Sequence, residues 1–294
     1  MAKSTIEQRT SPDGLQYLRC GPTDSKVGLV CIHGWGCQGA DYALLFEALQ
    51  ERSVTFKGLA VDLPGHGDSP KTVSDATVAG CAKAALSAAQ HEGLSDVMLI
   101  GHSMGGRIVM EAFTQAQASG IIKIRGIAFL DVSNYRLRPK LYEFDENDSR
   151  SKAMSDQEKA SKKAALFQTM FSDHTPPEFE LATLQHLKTL DKGFANAIRD
   201  DYIDYDHTRL DTALAAAGHA KTPFLNLQST DIDGENQRFP LKTGEMSTWM
   251  KLIQEKVPQA EQFVVEKSAH FPHVDQPEKV ADTLIEFMKR IDGT

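Results

Sequence analysis

Ser103 stands between glycines in Leu99-Ile100-Gly101-His102-Ser103-Met104-Gly105-Gly106, where an apolar run gives way to a helical pattern. A serine on such a sharp strand-to-helix turn is forced into strained backbone angles, its hydroxyl is pushed clear of the sheet, and flanking glycines let strand and helix pass closely. The helix N-terminus beneath it favours negative charge. Three fixed residues at about 7% each would arise by chance in roughly one of ten chains of this length. The pentapeptide therefore needs partners before it carries chemistry.

A serine hydroxyl becomes a nucleophile when a base takes its proton and an acid fixes the base's tautomer. Of ten histidines, His270 is the candidate base, with His273 as the fallback, because Ser268-Ala269-His270-Phe271-Pro272 directly follows the last apolar run. His33, His66 and His102 lie inside turn motifs that suit structural hydrogen bonding. The acid has three candidates. Asp231 is the first choice, with Asp233 and Asp131 as alternatives: Asp231 and Asp233 share the loop after Gln228, and Asp131 ends an earlier run. A developing oxyanion needs two donors. The backbone N–H of Met104 is one, and that of Trp35, in His33-Gly34-Trp35-Gly36, is the other candidate.

These residues must be brought together by the elements around them. Short apolar runs at residues 15–21, Val27 to Ile32, Phe56 to Leu63, Val97 to Ile100, Ile121 to Leu130, Pro223 to Gln228 and Gln262 to Val265 read as strands. Helical patterns fall between them: Asp41 to Arg52, about Asp75 to His91, from Met104 onward, Met246 to Lys256 and Pro277 to Ile291. Alternation of this kind predicts an α/β fold, a mostly parallel sheet with helices on both faces, and right-handed crossovers bring the loops after the strand C-termini to one rim. The rhythm breaks from Asn134 to Lys221. Arg136 to Lys163 is dense in mixed charge and reads as an exposed excursion; the remainder carries helical patterns, and so long a segment is expected to be a helical cap over the rim. The predicted division is residues 1–133 and 222–294 as core, with 134–221 as the cap.

The 294 residues are 41% hydrophobic and 24% charged, with a net charge of -8 and no basic block, so a nucleic-acid partner is not expected. No run approaches the roughly 18 apolar residues of a membrane span, and the first ten residues lack a signal-peptide core, which leads to the expectation of a cytoplasmic protein without membrane contact. Cys20, Cys31, Cys37 and Cys81 have neither C-x-x-C spacing nor a histidine partner pattern, so free thiols are expected, and neither a metal nor a cofactor.

The chain resembles the α/β-hydrolase superfamily. The resemblance rests on His33-Gly34 after a strand, Asp62-Leu63-Pro64-Gly65-His66-Gly67-Asp68-Ser69, Gly101-His102-Ser103-Met104-Gly105-Gly106, and Ala269-His270-Phe271-Pro272 with Gln276-Pro277-Glu278, in that order between about residues 14 and 291. It implies an eight-stranded sheet, a nucleophile, acid and histidine in chain order, and a helical cap after the sixth strand. The family's usual acid position, counted from Ser229, falls on Ile232, with aspartates on either side; some relatives take the acid from the end of the sixth strand, where Asp131 stands. The loop is atypical as far as Arg238. The expected activity is hydrolysis of a carboxylic ester or lactone of a medium-sized, partly apolar small molecule by a monomer or homodimer. Carbon–carbon bond hydrolysis, perhydrolysis and a non-catalytic small-molecule receptor are the alternatives.

Overall fold

The computed structural model describes residues 6–22, 27–52, 55–71, 75–137 and 149–292. In chain order the first half holds β1 (Glu7–Thr10), β2 (Gln16–Cys20), β3 (Val27–Ile32), α1 (Ala43–Glu51), β4 (Lys57–Val61), α2 (Val78–His91), β5 (Asp96–His102), α3 (Gly105–Ser119) and β6 (Lys123–Leu130). Then come α4 (Ser149–Lys152), α5 (Asp156–Gln168), α6 (Pro177–Thr189), α7 (Lys192–Thr208) and α8 (Leu210–His219). The chain closes with β7 (Phe224–Gln228), β8 (Thr230–Ile232), β9 (Arg238–Pro240), α9 (Thr248–Lys256), β10 (Glu261–Val264), α10 (Pro272–Asp275) and α11 (Pro277–Asp292).

Eight strands form one sheet in the order β1-β2-β4-β3-β5-β6-β7-β10. β2 is antiparallel to both β1 and β4, and every other neighbouring pair is parallel. β3 and residues 97–101 of β5 are apolar without interruption because both faces are covered, and the two-residue period of the strands divides the side chains between two cores. Val30, Ile32, Leu99, Ile127 and Phe129 point into one core, roofed by α2, α3, α8 and α9; Leu29, Cys31, Ile100, Ala128 and Leu130 point into the other, roofed by α1 and α11. All four cysteines are buried free thiols. Among the described residues no helix is long and apolar enough to cross a membrane.

Seven sheet strands lie where the apolar runs predict them, with shifted ends. β6 begins at Lys123 and leaves Ile121 64% exposed. On α1 the buried set is Leu45, Phe46, Ala48 and Leu49, while Leu44 faces outward. α2 starts at Val78, three residues later than expected, because the Thr77 side chain accepts the Gly80 N–H and ends the turn before it. Ser247 does the same for Met250 at the head of α9. Three strands have no clear signature: β1, whose side chains are mostly exposed, and β8 and β9 of the hairpin.

Of the charged excursion expected over Arg136 to Lys163, residues 138–148 lie outside the described residues. The rest is ordered more than its composition suggests. α5 opens on a reciprocal capping box, in which Ser155 Oγ accepts the Glu158 N–H and the Glu158 carboxylate accepts the Ser155 N–H. α8 is part of the core proper, since Leu210, Leu214 and Ala217 are buried in the same cluster as α3.

Candidate active site

The sheet's register sets the geometry. His102 of β5 is level with Leu130 of β6, and Leu130 is level with Leu227 of β7, so Ser103 and Asp131 each leave neighbouring strands at the same height. Ser103 takes a φ of 54°, a left-handed conformation rare outside glycine. The turn is held by close packing that only glycine permits: a Cβ on Gly105 would lie 2.2 Å from the Ile32 carbonyl oxygen, and one on Gly34 would lie 2.9 Å from the Ser103 Cβ. The second contact also places the turn carrying Trp35 directly against the serine.

Ser103 Oγ lies 2.9 Å from His270 Nε2, and His270 Nδ1 lies 2.7 Å from Asp131 Oδ2. A carboxylate only accepts, so Nδ1 carries the imidazole proton and Nε2 is left to accept from the serine hydroxyl. Ser103 is partly exposed, whereas His270 and Asp131 are buried. The His270 backbone is fixed on both sides: its N–H donates to the Met170 carbonyl at 3.0 Å, and its carbonyl accepts His102 Nε2–H at 2.7 Å.

Asp131 is the carboxylate that reaches His270; Asp231 and Asp233 do not. The Asp231 carboxylate turns away to the head of α9, where Oδ2 accepts the Thr248 N–H at 2.9 Å. Asp233 closes the β8–β9 hairpin, with Oδ1 accepting the N–H groups of Glu235 and Gln237 at 2.8 and 2.9 Å. The expectation that Asp231 meets His270 is therefore corrected in favour of Asp131, and the reason is local: a single residue separates β7 from β8, which carries the aspartates of that loop off the rim.

Six donors converge on Asp131. Oδ1 accepts Gln228 Nε2–H and the backbone N–H groups of Ser229 and Thr230 at 2.8 to 3.0 Å. Oδ2 accepts the Thr230 hydroxyl at 2.7 Å, Arg238 Nη1–H at 2.9 Å and His270 Nδ1–H. Burial alone would push this carboxyl up. The hydrogen bond from His270, the Arg238 charge and the Thr230 hydroxyl outweigh it and hold the group well below the usual carboxylate range. Asp131 is thus an anion throughout the range in which histidine titrates.

The surrounding histidines are neutral. Burial, with His270 nearby, lowers His102 to about 3. His33 is driven well below its ordinary value by burial; its Nδ1–H donates to the Gly34 carbonyl and its Nε2 accepts the Leu63 N–H, stapling the Trp35 turn to the end of β4. Burial likewise lowers His66 to about 4. All three hold turns together, as their motif positions suggest.

The helical segment after β6 touches this rim at several points. Trp35 Nε1–H donates to the Ala195 carbonyl of α7 at 3.2 Å, and Phe194 packs over Gly65. One turn beyond Ser103, Arg107 donates to the Ser103 and Ser133 carbonyls and makes a two-pronged, fully buried pair with Asp206 of α7. Arg107, Thr230 and Arg238 had no signature in spacing, because each acquires its role from an element remote in sequence; only the irregular loop up to Arg238 hinted at the last.

A serine at the sharp turn after β5, a histidine after the last strand and an eight-stranded sheet of this order are the features of an α/β hydrolase. The chain belongs to the alpha/beta hydrolase family, whose model matches residues 29–283. Among curated relatives, the magnesium-chelatase 30 kDa subunit of Rhodobacter capsulatus is 30% identical over 109 residues, 37% of this chain and 37% of that protein, so the match spans little more than a third of the relative. Among solved structures, a bacterial membrane phospholipase A is similar with a TM-score of 0.71 at 18% identity, covering 100% of this chain and 88% of that one. Esterase RhEst1 from Rhodococcus sp. ECU1013 is similar with a TM-score of 0.66 at 17% identity, covering 97% and 99%.

Proposed function

We propose that the protein is a cofactor-independent serine hydrolase of carboxylic esters, lactones included, with Ser103, His270 and Asp131 as its triad. The observation that carries this reading is the continuous chain from Ser103 Oγ through His270 to Asp131 at 2.9 and 2.7 Å, built on a serine of positive φ. In the reaction, His270 Nε2 takes the serine proton as Oγ bonds to the ester carbonyl carbon. The N–H groups of Met104 and Trp35 receive the oxyanion, Met104 because first-turn amides of a helix have no intrahelical acceptor. His270 returns the proton to the departing alkoxide, leaving an acyl-serine; water, deprotonated by the same nitrogen, then releases the acid and restores Ser103.

Residues 134–221 take the role of cap in this reading, with α8 serving the core and α5 to α7 covering the rim. Phe171 and Phe179 beside Phe271, and Leu187 over Gly36, give the covering segment an apolar underside suited to a small, partly apolar substrate. The test is turnover of p-nitrophenyl acetate and butyrate, and of a simple lactone, by wild type and Ser103→Ala. Loss of turnover in the variant is expected; an unchanged rate would remove Ser103 from the chemistry.

A further inference from the structure

Arg238 is an unusual neighbour for a triad acid. It opens β9, paired with Ile232 across the hairpin, and the fold of that hairpin brings its guanidinium back over the end of β6. Nη1 donates to Asp131 Oδ2 at 2.9 Å and to Thr230 Oγ1 at 2.6 Å, while the Thr230 hydroxyl donates to the same Oδ2. The side chains of Arg238 and Asp131 are 4% and 0% exposed, so solvent screens their interaction little.

The guanidinium is not needed to aim the carboxylate. Oδ1 is already held by one side-chain amide and two backbone N–H groups. What Arg238 adds is charge, and it adds it to Oδ2, the oxygen that accepts His270 Nδ1–H. When His270 takes the serine proton, imidazolium and guanidinium must share one carboxylate oxygen. The second cation withdraws part of the stabilisation that Asp131 would otherwise give to imidazolium.

We infer that Arg238 sets the acid edge of the enzyme's pH range by acting through Asp131, whose Oδ2 it shares with the base His270. The inference rests on the triad proposed above. Its consequence is a base that stays neutral at lower pH than an unshared Asp–His pair would allow, in exchange for weaker stabilisation of imidazolium during attack.

Among the described residues, the other titratable groups that face the ring leave this assignment to Arg238. From β5, His102 faces His270 with ring centroids 4.8 Å apart, and from α10, His273 lies behind His102; burial keeps both uncharged where His270 titrates. Asp275 of α10 is turned to the backbone behind the ring, accepting the Ala269 N–H and the hydroxyls of Ser172, Thr175 and Ser268. From the segment above, Met170 presents a carbonyl. Ser103 faces Nε2 as a neutral hydroxyl.

The experiment is kcat/KM against pH from 4 to 9 with p-nitrophenyl butyrate, which reports the free enzyme's base. Wild type, Arg238→Gln, Arg238→Lys and Ser103→Ala are compared. Removal of the charge is expected to move the acid limb's midpoint upward by about one pH unit, with KM little changed, and lysine is expected to return it toward wild type. A glutamine variant whose midpoint coincides with wild type or falls below it, with Ser103→Ala inactive, overturns the inference and leaves the triad standing. An active Ser103→Ala overturns the triad itself. If the glutamine variant does not fold, Arg238→Met, which fills a similar volume without charge, takes its place with the same expected shift.

Discussion

The ends of β6 and β7 lie side by side, and each is followed by aspartate: Asp131 after one, Asp231 and Asp233 after the other. Their fates are opposite. Asp131 leaves its strand with φ 46°, turns inward, and is completely buried under six donors. Asp231 and Asp233 leave theirs into a hairpin and satisfy exposed backbone N–H groups. A buried carboxylate persists as an anion when the surrounding donors make its charge tolerable in a dry place, and four of the six donors here come from β7's own end. The second strand end supplies the cage, and the first supplies the anion.

The largest expected effect separates the two ends outright. Asp131→Asn can donate to Nδ1 and so flip the imidazole tautomer, leaving Nε2 protonated and unable to accept from Ser103; kcat for p-nitrophenyl butyrate should fall by about 10⁴-fold. Asp231→Asn and Asp233→Asn should stay within about twofold of wild type. A reversal of that ranking would move the acid to the hairpin.

Stability should follow the same divide with smaller numbers. Asp131→Asn strands the buried Arg238 charge and should cost about 3 to 5 kcal/mol in urea denaturation at pH 7. Because the folded-state carboxyl sits below its unfolded value, its contribution is complete above the ordinary carboxylate range and is lost as pH falls through the lower, folded value. The wild-type and Asp131→Asn stability curves are therefore expected to converge in strong acid. Parallel curves would show that the anion is not what the cage stabilises.

Asp231→Ala should cost only about 0.5 kcal/mol, the worth of an anion at an exposed helix N-terminus, and that loss should shrink in 1 M salt. A loss of several kcal/mol would make the β7 end as structural as the β6 end. The mildest test is on the wild type: turnover should rise with pH across roughly 6 to 7.5 as the base loses its proton, and a flat profile there would count against His270.

Much of the fold was legible because its signals are local. Val27 to Ile32 and Val97 to Ile100 are apolar on both faces and could be nothing but central strands, and Gly101 to Gly106 marks its own turn. Ser103 follows directly on β5 and His270 lies a short loop beyond β10, so chain order sets both on one rim. β1 was illegible because an exposed edge strand needs no apolar pattern. The hairpin was illegible because its two three-residue strands are too short to carry a period.

The choice of acid shows where sequence stops. Three aspartates of the same type stand near two strand ends, and spacing favours the loop after β7. Only the folded chain brings Ser229 and Thr230 N–H, the Gln228 amide and the Arg238 guanidinium to a single carboxylate. By itself the sequence determined the sheet, the elbow, the serine and the histidine, since each is written in contiguous residues. Tertiary structure decided which carboxylate meets His270, the Arg238 charge beside it and the Arg107–Asp206 link to α7. The reason is desolvation: whether a buried charge is stable depends on donors up to 139 residues away, and no local pattern records where they will meet.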